Sequence, residues 1–496
     1  MSLNIDVKTS KVGFWHFPKT FYTLLIIEFW ERFAFYGLQS VAVIYFIKKF
    51  NLSESDSSGL FASFSALLYG LMVIGGFIGD RILGLRRCYL IGIVLFILGY
   101  GLLSFANTQS ILYFSMGIVL VANVFFKTIA NNYVSRCFEK NDPRLDSAFT
   151  YFYMSINIGS FSSLIIVPII SKTFGYSVGL ALCSISMVCG LVFYLIFRER
   201  LKNLDNQVGK HRENKFFLVS LFLLISMISA YLVGFILKNS EYSRIFLYTS
   251  AAIILIIYLV VASKLPKIES QGMMVALMLA LQAIIFFILY IQTATSFMLF
   301  AYHNIDLEFF GYKIPPGVTQ AFNPVYIIIL SPILSNIYLY FNKNKINAGI
   351  PLKFVCGIFS TSICFILLGF ASNFFANHDS QIPVIWLFIA YGFYTLGELL
   401  VSALGPSMVS QLLPKRFGGF AQGFWYLCVA VGMKIGGLIS STAAAQYNSH
   451  DPAQSLNTYM HLFYYIGVAI FIVSGFLFFM VKPLNKAMNL VLERKY

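Results

Sequence analysis

Long apolar stretches separated by short polar loops run through almost the whole chain. Fourteen of them reach the length of about 20 residues that an α-helix needs to cross the hydrocarbon core of a bilayer. They lie near residues 19–48, 57–80, 87–106, 110–136, 146–172, 176–197, 216–237, 245–263, 271–299, 318–341, 352–372, 383–413, 417–444 and 459–481. The pattern therefore predicts an all-α polytopic membrane protein with fourteen transmembrane helices.

A run of charges interrupts this pattern after the sixth stretch, with the sequence RERLKNLDNQVGKHRENK. We predict four units: an N-terminal six-helix bundle (1–197), a cytoplasmic basic linker (198–215), an extra two-helix hairpin (216–263) and a C-terminal six-helix bundle (264–496). The two apolar stretches of the hairpin contain no charged residue. We therefore expect the hairpin at the periphery, outside any path between the two bundles.

The composition agrees with a surface that faces lipid. The 496 residues are 58% hydrophobic and only 11% charged, with a mean hydropathy of +0.78. Soluble proteins carry roughly 25% charged residues. Too few polar groups remain to cover a water-exposed globule, so the chain is predicted to be an integral membrane protein.

The positive charges are distributed unequally between the loops. If the N-terminus lies inside, 26 of the 35 Lys and Arg residues fall in cytoplasmic segments and 6 in external segments. This asymmetry follows the positive-inside rule and predicts that both termini are cytoplasmic. Membrane topology therefore explains the net charge of +15, and no nucleic-acid partner is expected.

Cysteine usage and the N-terminal stretch exclude two further classes of protein. The seven cysteines are scattered, without a CxxC pair or a Cys/His cluster, so we predict no disulfide scaffold, metal site or cofactor. The first apolar stretch contains Glu28, Glu31 and Arg32. A cleavable signal peptide has a short, uncharged core, so this stretch is not one.

The loop between the second and third stretches carries the motif GGFIGDRILGLRR, residues 75–87. Gly75, Gly76 and Gly79 allow close approach of helices. The charged residues are Asp80, Arg81, Arg86 and Arg87, which can form a network that holds one conformation and opens in another. The motif resembles the loop signature of the major facilitator superfamily, whose members combine two six-helix halves. An ordinary positively charged loop is the alternative interpretation.

Six charged residues lie well inside the predicted spans. They are Glu28, Glu31, Arg32, Lys127, Glu398 and Lys434. Each costs about 2.5–3.5 kcal/mol at the centre of a membrane helix, so such residues are generally functional. We expect them to face a water-filled cavity between the two halves, near the middle of the bilayer.

The first three of these residues share one face of a helix, because Glu28, Glu31 and Arg32 are spaced i, i+3 and i+4. Two carboxylates compete there for one guanidinium, so one of them is a candidate proton site. Arg32 stays charged and can bind a carboxylate through two parallel hydrogen bonds. A static ion-pair network between helices is the alternative.

The other three residues divide between the two halves. Lys127 belongs to the first half and suggests an anionic substrate group or a carboxylate partner. Glu398 belongs to the second half and could hold a substrate ammonium, so a zwitterion lying across the cavity would fit. For Lys434 we expect snorkelling to the membrane surface or a local ion pair.

Polar and aromatic residues within the spans are weaker candidates for the cavity lining. They include Tyr36, Tyr45, Tyr69, Tyr153, Asn157, Phe287, Gln292, Asn323 and Trp425. Buried amides are the most informative among them, because each amide needs hydrogen-bond partners. No histidine lies deep in a predicted span, so we expect no histidine proton switch.

Several of these segments resemble the proton-dependent oligopeptide transporter family. Residues 28–37, EFWERFAFYG, are similar to its Glu-x-x-Glu-Arg-Phe-x-Tyr-Tyr-Gly motif, with Phe35 in place of the first Tyr. Residues 152–160, FYMSINIGS, are similar to a second family signature. The stretches FEKNDPRLDSAFTYFYMSINIGSF and IIFFILYIQTATS resemble bacterial dipeptide and tripeptide permeases, and the similarity spans nearly the whole chain.

The resemblance implies a proton-coupled symporter that imports di- and tripeptides by alternating access, not an enzyme. It implies a multi-pass monomer in the cell inner membrane, with peptide, protons and membrane lipid as partners and no cofactor. Proton coupling is assigned to Glu28, Glu31 and Arg32. The predicted substrate-binding residues are Arg32, Tyr45, Tyr69, Lys127, Tyr153, Asn157, Phe287, Asn323, Glu398 and Trp425.

Within that set, the resemblance assigns Arg32 and Lys127 to the peptide carboxylate, and Glu398, Asn157 and Asn323 to the amino terminus. The sequence also departs from the family. Many members carry Glu where this chain has Ile291, so coupling would depend on Glu28, Glu31 or Glu398. The family's Pro and Asn after the lysine are Thr128 and Ile129 here.

There are three alternatives to peptide import. A family relative could transport another small substrate, such as an amino acid, nitrate or a peptide-like drug. A transporter-like sensor would bind peptide without moving it. A membrane-embedded enzyme would need a catalytic cluster at membrane depth, and the spans contain no Ser/His/Asp, His-rich or Cys/His cluster.

Overall fold

The computed structural model describes residues 17–72, 83–138, 144–201, 215–309, 311–344, 348–413 and 418–493, and most of them are helical. The first half contains α1 (Lys19–Phe50), α2 (Glu54–Gly70), α3 (Leu85–Phe105), α4 (Gln109–Arg136), α5 (Leu145–Phe174) and α6 (Tyr176–Ile196). A helical turn at Arg198–Leu201 follows. The hairpin consists of α7 (Lys215–Lys238) and α8 (Ser240–Ser263).

The second half begins with α9 (Lys267–Tyr290) and a 3₁₀ turn (Ile291–Ala294), which lead into α10 (Ser296–Asn304). A second 3₁₀ turn (Pro316–Ala321) precedes α11 (Phe322–Lys343). The remaining helices are α12 (Ile350–Phe374), α13 (Val384–Val401), α14 (Gly405–Leu412), α15 (Gly418–Ala444) and α16 (Pro452–Glu493).

The described helices agree with a polytopic membrane protein. Within the described residues, twelve helical segments are long and apolar enough to cross a bilayer. The two predicted stretches outside that set correspond to α1, which contains three charged residues in its middle, and α2, which is described over 17 residues. The arrangement is consistent with fourteen spans and with the predicted fold class.

Two predicted stretches are interrupted in the structure. The stretch at 271–299 breaks at Thr295, whose backbone angles (φ −119°, ψ −87°) leave the helical region. The stretch at 383–413 divides into α13 and α14, with Pro406 in the first turn of α14, where a missing N–H is tolerated. A Cβ at Gly405 would collide with the ring of Trp425, so this break also allows a close helix contact.

The hairpin packs against one side of the bundle, where α7 contacts α4 and α8 contacts α2 and α15. The α7–α4 contact is close because Gly117 has no side chain; a Cβ at this position would collide with the backbone carbonyl of Ala230. The Tyr258 hydroxyl of α8 donates a hydrogen bond to the Met273 carbonyl of α9 at 2.8 Å. The hairpin therefore touches helices of both halves from outside the bundle.

Two predicted features lie largely or partly outside the described residues. In the loop motif, the residues outside the described ranges include Gly75, Gly76, Gly79, Asp80 and Arg81. Arg86 and Arg87 belong to the first turn of α3. In the charged linker, residues 202–214 lie outside the described ranges. The predicted domain boundaries therefore stay predictions.

The two halves meet closely at one face of the membrane domain, where α1 ends and α2 begins. Gln39 of α1 donates a hydrogen bond to Gln320 of the second 3₁₀ turn at 2.9 Å. A parallel pair of short strands (β1, Ile305–Asp306; β4, Ile382–Pro383) and an antiparallel pair (β2, Glu308–Phe309; β3, Tyr312–Lys313) order the connection around this contact. By the charge rule above, this is the predicted external face.

Candidate functional site

The middle of α1 presents a buried charge cluster at the interface of the two halves. Glu28, Glu31 and Arg32 are all buried. Arg32 donates two hydrogen bonds to Glu31, from Nε to Oε2 and from Nη2 to Oε1, both at 2.5 Å. Its Nε lies 3.6 Å from Oε1 of Glu28. The helical spacing therefore brings the three side chains together as the sequence predicts.

Lys127 of α4 completes this cluster. Its Nζ donates a hydrogen bond of 2.6 Å to Oε1 of Glu28, which is fully buried. The cluster thus contains two carboxylates and two cations, and its formal charges cancel. Glu28 Oε2 has no hydrogen-bond partner among the described residues. A proton can bind there without displacing an existing hydrogen bond.

Glu398 stands on α13, in the opposite half. Asn323 of α11 donates a hydrogen bond of 2.6 Å to its Oε2, and another of 3.1 Å to Oγ1 of Thr395. No ion pair within 4.0 Å holds Glu398 among the residues that the structure describes. Its carboxylate therefore has a neutral amide partner and can accept a cation.

Tyr36 links the two charged regions. Its hydroxyl lies close enough to Arg32 and to Glu398 to interact electrostatically with both. Tyr153 also lies within electrostatic range of Glu398. Tyr36 is therefore within electrostatic range of a cation of the first half and of the carboxylate of the second half.

A cavity of about 100 Å³ lies between the halves at this point. Its lining is mostly aromatic and polar: Arg32, Phe35, Tyr36, Gln39, Ser65, Leu68, Tyr69, Met72, Asn123, Lys127, Tyr290, Ile291, Thr293, Ala294, Tyr426 and Met433. Ligand pockets usually enclose about 300–1,000 Å³, so the cavity is contracted in this conformation. Ile291 is one of the lining residues.

Of the other predicted binding residues, Tyr69 lines this cavity, whereas Asn157, Phe287 and Trp425 are not among its lining residues. The Tyr69 ring lies 6.2 Å from that of Tyr426. The Asn157 side-chain amide donates to the backbone carbonyl of Tyr153 at 2.8 Å. Phe287 and Trp425 are buried against each other with ring centroids 6.1 Å apart, behind the lining residues.

Tyr45 lies apart from the cavity. It is fully buried in the first half, and its hydroxyl donates a hydrogen bond of 2.7 Å to the Leu103 carbonyl. Its ring packs at right angles against Phe50 at 5.4 Å. This placement gives Tyr45 a packing role in the described conformation and does not support the predicted contact with substrate.

Lys434 of α15 does not snorkel to the membrane surface. It is 2% exposed, and its Nζ donates hydrogen bonds to Ser63 of α2 at 2.6 Å and to Ser243 of α8 at 2.7 Å. The expectation of snorkelling is therefore wrong, and the alternative of a local ion pair stays a prediction. Neighbouring hydroxyls were available within the bundle, and their positions depend on packing of three distant helices.

A second polar cluster, absent from the sequence prediction, joins the halves at the predicted external face. Glu54, at the start of α2, pairs with His303 of α10 at 2.7 Å, and Tyr447 donates a hydrogen bond to the same carboxylate. Tyr459 lies 3.1 Å from the Tyr447 hydroxyl. Burial and the neighbouring Tyr459 and Glu54 raise the pKa of Tyr447 well above its usual value, which keeps this donor protonated.

Only a weak sequence signal marks this second cluster. Ser53 accepts a hydrogen bond from the Asp56 backbone N–H at 3.0 Å, so Ser53 and Glu54 read as an ordinary helix start. Among the described residues, no group of three or more His, Cys, Asp and Glu is arranged to hold a metal ion.

Comparisons with known proteins point to a single family. The profile of the POT family matches residues 86–462, which is more than half of the chain. Dipeptide and tripeptide permease B of Photorhabdus luminescens is 35% identical over 485 residues, covering 97% of this chain and 99% of that protein. Dipeptide and tripeptide permease A of Escherichia coli (strain K12) is 38% identical over 459 residues, covering 92% and 91%.

The structure gives the same result. A bacterial homologue of the human drug peptide transporters PepT1 and PepT2 superposes with a TM-score of 0.82 and 30% sequence identity. The match covers 95% of this chain and 99% of that structure.

Proposed function

This chain belongs to the POT family, and we propose that it is a symporter that imports di- and tripeptides together with protons. It acts as a transporter and not as an enzyme. The match to dipeptide and tripeptide permeases covers nearly the full length of those relatives, which supports the peptide as substrate.

One observation carries the assignment of the site. Arg32 and Lys127 of the first half line the central cavity together with Tyr36, and Tyr36 lies within electrostatic range of Glu398 of the second half. A short peptide is a zwitterion with its two charges at opposite ends. Its carboxylate would bind Arg32 and Lys127, and its ammonium would bind Glu398, so binding would join the two halves.

The same contacts suggest how protons are coupled to peptide binding. In the described conformation, Glu28 holds Lys127 and Glu31 holds Arg32. A peptide carboxylate must compete with these internal carboxylates for the same two cations. A proton on Glu28 removes its negative charge and releases Lys127, and a proton on Glu31 does the same for Arg32. Proton binding would therefore favour peptide binding.

The transport cycle proposed is alternating access between two orientations of the halves. Gln39–Gln320 and the Glu54–His303 pair hold the predicted external face closed. These contacts must separate before peptide can enter from that side. We propose that the chain works as a monomer in the cell inner membrane with both termini in the cytoplasm, which the excess of basic residues on the terminal side supports.

The test is uptake of a radiolabelled dipeptide into proteoliposomes, with and without an inside-alkaline pH gradient. Wild-type protein should accumulate peptide only with the gradient. Glu28→Gln and Glu31→Gln should lose gradient-driven accumulation but keep peptide exchange, because a neutral amide resembles a permanently protonated carboxyl. Glu269→Gln is the matched control, since Glu269 lies in the first turn of α9, away from the cavity, and should behave as wild type.

A series of di- and tripeptides, single amino acids, nitrate and an N-acetylated dipeptide would define the substrate. Selective uptake of peptides with a free amine is expected, because Glu398 needs a cation. Binding of peptide without uptake would indicate a sensor. Uptake of nitrate in preference to every peptide would refute the proposed substrate.

A further inference from the structure

A larger cavity of about 560 Å³ lies at the predicted external face, separate from the central site. Three of its lining residues are lysines: Lys48 of α1, Lys172 of α5 and Lys313 of β3. The lining residues that the structure describes include no carboxylate. Only six basic residues of the chain fall in predicted external segments, so half of them converge on one cavity.

The contacts of these lysines are with neutral groups. Lys172 Nζ donates a hydrogen bond to the backbone carbonyl of Lys313 and lies 4.7 Å from the ring of Tyr312. Lys48 Nζ lies 5.4 Å from the ring of Tyr302. None of the three lysines forms an ion pair within 4.0 Å with a described carboxylate. Glu308 faces Lys313 across the β2–β3 pair but does not line the cavity.

The cavity is built from both halves of the protein. Lys48 and Lys172 belong to the first half, whereas Lys313 belongs to the second. Closing the external face brings like charges together, and separating the halves moves Lys313 away from the other two. A ligand that contacts all three ammonium groups can therefore bind only the externally closed conformation.

The lining also indicates the chemistry of that ligand. Three separate ammonium groups require several anionic oxygens on one compact ligand, and lysine binds phosphate as a point charge. Pro315 and Pro316 stiffen one wall, and Tyr176 and Tyr302 provide aromatic surface beside the charges. The volume is in the range of small-molecule pockets.

We propose that this cavity is a binding site for a phosphate-bearing anion that stabilises the externally closed conformation. A ligand with differential affinity for one conformation shifts the equilibrium toward it. Occupancy would slow the return to the externally open state and reduce peptide import without occupying the peptide site. The site goes beyond the proposed function, since binding itself needs no transport.

Thermal unfolding of the purified full-length protein tests the site directly. Increasing pyrophosphate replaces NaCl so that the ionic strength stays constant, and the midpoint temperature of unfolding is measured by intrinsic fluorescence. A saturable rise is expected for wild type, because a ligand bound only by the folded state stabilises it. Lys172→Gln and Lys313→Gln should each weaken the apparent affinity about tenfold, which corresponds to loss of one charge-assisted contact.

Lys238→Gln is the matched control, because Lys238 lies at the end of α7 in a different cavity of the same predicted face. It should retain the wild-type affinity. Nanodiscs of phosphatidylglycerol or phosphatidylcholine distinguish the source of the phosphate. Stabilisation by phosphatidylglycerol alone, lost in the two lysine variants, identifies a lipid headgroup, whereas stabilisation by pyrophosphate identifies a soluble anion.

Equal shifts in all variants, or no shift with either phosphate source, would overturn the proposed site. Uptake measurements then test the conformational effect. External pyrophosphate should lower the maximal rate of dipeptide import without raising KM, and Lys313→Gln should abolish this inhibition. A purely competitive pattern would refute conformational selectivity. If no peptide is transported at all, the binding result still stands by itself, so failure of the two proposals can be told apart.

Discussion

Lys127→Ala is the most direct test of the charge cluster. Lys127 Nζ lies 2.6 Å from Oε1 of Glu28, and Glu28 is fully buried. Without Lys127, the nearest cation is Arg32 Nε at 3.6 Å, and Arg32 already donates two hydrogen bonds to Glu31. Removal of one partner of a buried ion pair typically costs about 3–5 kcal/mol, because a buried charge loses its compensation.

The lower end of that range applies here. The Lys127 side chain is 19% exposed and Arg32 compensates part of the remaining charge, so we expect a loss of about 3 kcal/mol in the free energy of unfolding. Glu28→Gln combined with Lys127→Ala should recover most of the lost stability, because it removes the uncompensated charge.

The assay combines denaturant unfolding of the purified variants with dipeptide uptake. Lys127→Ala and the double variant should both lose uptake, because both lack Lys127, one of the two cations proposed to bind the peptide carboxylate. Lys238→Ala, which removes a lysine outside the cluster, should change neither property. Equal stability of Lys127→Ala and wild type, with no effect of adding Glu28→Gln, would show that the two side chains are not coupled.

Three further predictions follow from other contacts. Glu398→Gln should abolish uptake of dipeptides with a free amine, and wild-type uptake by this variant would refute the ammonium assignment. Glu54→Ala should lower KM for external peptide, because it removes the contacts of His303 and Tyr447 that hold the external face closed. Asp56→Asn, which changes an exposed acid on the same helix, should leave KM unchanged. An unchanged KM for Glu54→Ala would contradict a gating role. The double variant Ser63→Val, Ser243→Val should lower the unfolding temperature more than Lys434→Met does. The double variant removes two hydrogen-bond acceptors from a buried ammonium, whereas Lys434→Met removes the charge itself. A larger decrease for Lys434→Met would argue against this account.

Much of the architecture follows from local properties of the chain. The length of an apolar stretch decides whether it can span the bilayer, and this length can be counted along the sequence. The spacing of Glu28, Glu31 and Arg32 places them on one helical face without knowledge of any other helix. Lys127 and Glu398 could be singled out for the same reason, since a charge inside an apolar stretch is visible residue by residue.

Helix breaks were harder to predict than helix positions. The stretch at 383–413 looks continuous by hydropathy, although Gly405 and Pro406 mark its break. The stretch at 271–299 contains neither Pro nor Gly near Thr295, and its 3₁₀ turn accompanies a contact in which Gln292 donates to the Gly436 carbonyl at 2.8 Å. Hydropathy does not report such tertiary hydrogen bonds.

The sequence by itself determined the membrane class, the approximate limits of most spans, and which charges lie inside them. Only the tertiary structure decided which of those groups meet. Glu54 and His303 are 249 positions apart, and Gln39 and Gln320 are 281 apart. Lys434 finds Ser63 and Ser243 on two other helices, and three external lysines share one cavity. Such pairings depend on how each helix is rotated about its axis and at what angle it crosses its neighbours. Packing across the whole bundle sets this rotation, and no local pattern along the chain specifies that packing.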